Sequence, residues 1–130
     1  ILKALAGMHH IFTPIVADRV VMESTLIFTQ LMKDVIMKKG ETSIETINLF
    51  WNQVDGRERS PLYDVYNKLI DELGLSLMQC QIMNSTRFRK ESEAGAKTVF
   101  RSTLMPPDER LMNACRLDQF MTEFLRIVQL

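Results

Sequence analysis

The stretch TPIVADRVVMESTLIFTQLMKDVIMKKG, Thr13 to Gly40, decides how the rest of the chain is read. Thr is a favoured N-cap and Pro is favoured at the first helical position, so Thr13-Pro14 predicts a helix start. Gly40 predicts the stop, with Lys38 and Lys39 in the last turn, where cations offset the helix dipole. A helix over residues 14–39 would be about 39 Å long. Its apolar residues include Ile15, Val16, Val20, Val21, Leu26, Ile27, Phe28, Leu31, Met32, Val35 and Ile36. They form a stripe wider than one face, which predicts a central helix packed on more than one side. Ser24, Thr25, Thr29 and Gln30 lie among them and need partners if buried. The first reading is that such hydroxyls bond back to the preceding turn. The second is that they line a small-molecule cavity between helices.

Working outward, residues 1–12 predict a short helix with Leu2, Leu5 and Ala6 on one side. Beyond Gly40, Thr42-Ser43-Ile44-Glu45 matches a capping box. The helix it would open carries Ile44, Ile47, Trp51 and Val54 and ends at Asp55-Gly56. Ser60-Pro61 repeats the N-cap and first-position pattern. Leu62, Val65, Tyr66, Leu69, Ile70 and Leu73 then give the cleanest amphipathic helix in the chain, closed by Gly74.

Residues 75–104 have two readings. LSLMQCQIM and KTVFRSTLM alternate well enough for a β-hairpin around a charged turn. Short apolar runs also fit a helix. Pro106-Pro107 ends either one, and Asp108 and Glu109 suit the first turn of a last helix carrying Leu111, Ala114, Leu117, Met121, Phe124 and Val128. The predicted fold is therefore mainly α: a bundle of four to five helices around a long apolar central helix, with a small β-hairpin within 75–104 as the variant.

Composition sets the class. The chain has 130 residues, 46% hydrophobic and 25% charged, enough for one globular domain over 1–130. With 16 basic and 16 acidic residues the formal charge is zero, which argues against a dedicated nucleic-acid binder. Cys80 and Cys115 form no disulfide framework or zinc pattern, so reduced thiols and an intracellular setting are expected. The nine methionines suit adaptable core filling or a plastic binding surface. The start ILKALAGMHHIF lacks an initiator Met, a membrane span or a signal-peptide layout. The end FLRIVQL is apolar to its last residue. Both suggest a domain cut from a larger protein, without a membrane role.

Catalytic and cofactor chemistry has little support. Adjacent residues such as His9-His10 diverge on a helix and do not converge on a metal. Neither cysteine has a motif that supplies a base. The glycines occur singly and form no phosphate-binding loop, and no carboxylate pair stands out. Asn84-Ser85-Thr86 matches a glycosylation sequon, a pattern frequent by chance. No cofactor is expected.

One stretch breaks the apolar pattern. Arg87, Arg89, Lys90, Lys97 and Arg101 are basic against Glu91 and Glu93, and Phe88 lies between two arginines. An aromatic among cations can stack on a base or plug a pocket. These residues, Arg87, Phe88, Arg89, Lys90, Lys97 and Arg101, are the expected partner-binding site. The expected function is a non-catalytic accessory domain that binds another protein, a second copy or a neighbouring domain. The alternative is a winged-helix-like nucleic-acid module with a basic hairpin at 87–101. Acidic Asp64, Asp71 and Glu72 on the 61–73 helix count against it.

Overall fold

A computed structural model of the chain describes residues 2–38, 40, 42–57, 61–87 and 109–129. It overturns the all-helical expectation. The described residues form a mixed α/β unit with a parallel sheet in the order β1-β2-β3. The elements run α1 (Leu2–Ala6), β1 (His10–Ile15), α2 (Arg19–Leu31), a π-helical continuation (Met32–Met37), β2 (Thr46–Trp51), α3 (Pro61–Glu72), β3 (Ser76–Leu77), α4 (Glu109–Cys115) and α5 (Leu117–Val128).

The long central helix is the first correction. Thr13-Pro14 lies inside β1, which pairs with β2 from His10 opposite Thr46 to Ile15 opposite Trp51. The carbonyls of His9 and Ile15 accept from Glu45, Thr46 and Asn52, so odd-numbered β1 residues turn their backbone groups toward β2. Even-numbered ones, Pro14 among them, face away. A proline without an N–H is tolerated at that edge position and discourages pairing with another strand. The helix starts only at Arg19, where the Asp18 side chain caps the Val21 amide at 3.0 Å. Gly40 does take the left-handed conformation expected of a stop, with φ +67°.

The predicted 44–54 helix is the second correction, because Thr46–Trp51 is the central strand. Its Leu49 and Trp51 point to one face and its Asn48 and Phe50 to the other, and all four are buried. A strand covered on both sides loses the in–out alternation that marks strands in sequence. The apparent capping box is a local turn instead: Thr42 Oγ1 accepts from the Ile44 amide at 3.1 Å.

The hairpin variant lies partly outside the described residues. Ser76–Leu77 is a strand, but it pairs parallel to β2, with Asn48 opposite Ser76 and Leu49 opposite Leu77. Residues beyond Arg87, which would form the rest of the hairpin, lie outside those described. The 61–73 reading agrees with α3, and Gly74 closes it at φ +68°. The last helix is present but breaks at Arg116, a left-handed residue between α4 and α5.

Two parallel crossovers, β1-α2-β2 and β2-α3-β3, lay α2 and α3 on the same face, as right-handed connections require. That face holds the main core: Ile15, Leu49 and Trp51 from the sheet, Met22 and Leu26 from α2, Ile70 from α3, and Val54. Each fully buried aliphatic side chain contributes roughly 1.5–3 kcal/mol. Trp51 packs edge-on to Tyr63 at 4.8 Å and donates its indole N–H to Asn67 Oδ1 at 2.7 Å. On the opposite face α5 sets Phe124 on Phe12 and Phe120 on Phe50, with ring centroids 4.5 and 4.7 Å apart.

Candidate functional site

Helix α2 is apolar on more sides than the core can use. Met22, Leu26 and Thr29 point inward and are buried, and Met32 continues the line. Thr29 Oγ1 donates to the Thr25 carbonyl at 2.7 Å, the back-bond expected of a buried hydroxyl in a helix. The remaining apolar residues face outward: Val20 is 72% exposed, Ile27 70% and Leu31 48%. The wide stripe read from the sequence is therefore two stripes, one for the core and one left uncovered.

The uncovered stripe forms one wall of an open groove of about 730 Å³. Leu26, Ile27, Leu31 and Val35 line one side, and Tyr66, Leu69 and Leu73 of α3 line the other. Glu23 and Asp34 stand near its two ends, with Gln30 between them. Gln30 Nε2 donates to Asp34 Oδ2 at 3.0 Å, and this bond holds the Asp34 carboxyl below its usual range against the opposing effect of partial burial. Gln30 Oε1 is buried without a donor among the described residues. Val35 and Asp34 reach the groove from the π-helical turn, and π-helical turns are rare and frequent at functional sites.

Two polar arrangements elsewhere hold the fold together. His10 Nδ1 and Thr46 Oγ1 lie 2.7 Å apart, and His10 Nε2 is 3.7 Å from Glu45 Oε2. Hydroxyl, imidazole and carboxylate are the ingredients of an activated nucleophile. Here the Thr46 oxygen also accepts from Asn48 Nδ2 at 2.9 Å, and Glu45 is largely exposed at a distance too long for a hydrogen bond. The group joins the N-terminal ends of β1 and β2, whereas open α/β sheets place chemistry at the C-terminal ends. It ties the two strands together. In sequence His10 and Thr46 read as parts of separate helices, whereas the parallel strands set them opposite each other.

The second arrangement is Glu123, which is 7% exposed on the sheet-facing side of α5. Its carboxylate accepts from the Gln79 amide at 2.9 Å and the Cys80 amide at 2.7 Å. Burial pushes its carboxyl up, but the Cys80 and Gln79 amides outweigh that and hold it below the ordinary glutamate value. These amides have left the ladder along β2. Met78 still donates to Leu49, and pairing resumes only where Ile82 donates to Trp51. Glu123 thus latches α5 to the irregular segment that follows β3. A lone acid on a buried helix face gives no sequence signal of this role.

Of the expected partner-binding residues, Arg87 alone is among those described. It is half-buried, its amide donates to Ser85 Oγ at 3.3 Å, and its charge partly offsets the burial that pushes the Cys115 thiol up. Phe88, Arg89, Lys90, Lys97 and Arg101 lie outside the described residues. Cys80 and Cys115 are free thiols, and burial pushes both upward, with Glu123 adding to the effect at Cys80. Among the described residues, no group of His, Cys, Asp and Glu is arranged to hold a metal, and no helix is long and apolar enough to cross a membrane. The sheet order 1-2-3 never reverses among the described strands, so they contain no switch point of the kind that opens a dinucleotide crevice. Compared with known protein families and with curated proteins, the sequence shows no match.

Proposed function

We propose that this chain is an accessory interaction unit that works by docking a protein partner against the groove between α2 and α3. The supporting observation is the second apolar stripe of α2. Ile27, Leu31 and Val35 face Leu69 and Leu73 across an open cleft whose floor, Leu26, Tyr66 and Leu69, is shared with the core, whereas Ile27, Leu31 and Val35 stand outside the core cluster. A contiguous exposed apolar surface on a folded unit marks an interaction site more often than a structural need. The nucleic-acid alternative rests on residues 87–101, of which Arg87 alone is described.

The test uses an environment-sensitive apolar dye. The parent protein binds it, and an Ile27→Ser/Leu31→Ser variant loses most of the signal while keeping its circular dichroism and unfolding midpoint. A folded parent that binds no dye, or a variant that binds as well as the parent, contradicts the proposal.

A further inference from the structure

We infer that the occupant of this groove is an amphipathic helix from a different protein, apolar along one stripe and basic at both ends. The inference rests on the docking reading above and adds the chemistry of the partner. Length comes first. The α2 wall runs from Glu23 to Val35, about 18 Å at helical rise. That matches roughly three turns of a facing helix, whose anchors at i, i+3 or i+4, and i+7 fall along one groove.

Charge selects among helices. The charged residues lining the groove are Glu23 and Asp34, both acidic and near opposite ends. Each has an i,i+4 cation outside the lining, Arg19 at 3.0 Å and Lys38 at 3.5 Å. Exposed pairs of this kind are weak and exchange readily with a better-placed cation. A helix with basic ends meets a carboxylate at each end. An anionic amphiphile meets the same two carboxylates and is repelled.

A second copy of the chain fits less well. Arg19, Glu23, Asp34 and Lys38 are placed symmetrically about Phe28 and Thr29 along this helix, and the remaining charge, Lys33, is turned aside to donate to the Gly74 carbonyl at 2.8 Å. A two-fold pair crossing there sets Glu23 against the second copy's Asp34, and Arg19 against its Lys38. Like charges directly opposed disfavour that pairing.

The test compares two synthetic helical peptides with the same leucine stripe, one with lysines at both ends and one with glutamates there. Fluorescence anisotropy measures both against the parent protein. The expected result is about tenfold tighter binding of the lysine peptide at low salt. That preference shrinks at high salt and disappears in a Glu23→Gln/Asp34→Asn variant. Equal binding of the two peptides, or binding of neither by a protein that still takes up the dye, overturns the inference and leaves the docking reading standing. A concentration-dependent dimer that Leu31→Glu dissolves also overturns it, in favour of a second copy. Absence of dye uptake contradicts the docking reading itself.

Discussion

Glu123 is the side chain whose surroundings most limit what can replace it. A buried carboxylate that accepts two backbone amides cannot be exchanged for an amide without turning an N–H toward another N–H. Glu123→Gln is expected to cost about 1–3 kcal/mol at pH 7 in urea unfolding. The pH dependence follows from the sign of the shift. The folded value is lowered, so the stabilisation is complete above the ordinary glutamate range near ~4.3 and is lost as pH falls through the folded value. The gap between parent and variant should therefore narrow in acid. A gap that stays constant from pH 7 to pH 3 contradicts the latch. Nothing in FMTEFLRIV marks this residue in the sequence, because the amides it binds come from the segment after β3, more than forty positions away.

At the scale of elements, α2 separates two readings of one sequence. A central helix needs both of its apolar sides. The observed helix needs only the side of Met22 and Leu26. Leu26→Ala is expected to cost about 2–5 kcal/mol, and Ile27→Ser to stay within about 0.5 kcal/mol of the parent. Comparable losses at both positions, measured by thermal unfolding, would restore the central-helix reading. The same element explains why the fold class was not legible. Thr13-Pro14 has the chemistry of a helix start, yet Pro14 serves equally well on the outward side of an edge strand. Asn48–Trp51 is buried on both faces, and the polar–apolar alternation of Thr46–Leu49 is too short to outweigh the helical spacing of Ile44, Ile47, Trp51 and Val54. By contrast α3 has one wet face and one dry face. Its limits at Pro61 and Gly74 could be read from sequence because propensity, caps and periodicity agree there.

At the scale of the molecule, the sheet carries helices on both faces, and one of those helix layers keeps an apolar cleft open to solvent. The expectation of an interaction unit rests on apolar composition and missing chemistry, and the groove is where we propose that it docks a partner. Its position was not legible, because exposed and buried apolar residues look alike until the partner strands of α2 are known. The charged stretch at 87–101 stands out in the sequence for its local excess. The groove lies elsewhere, between α2 and α3, whose apolar residues read in sequence chiefly as core. The most direct measurement is a backbone-amide NMR titration with the lysine-ended helical peptide. Docking in the groove gives shift changes confined to α2, the π-helical turn and α3, centred on Ile27, Leu31 and Leu69. Changes centred on α5 or on the β1 edge, or a saturating titration that leaves α2 and α3 unmoved, would contradict it.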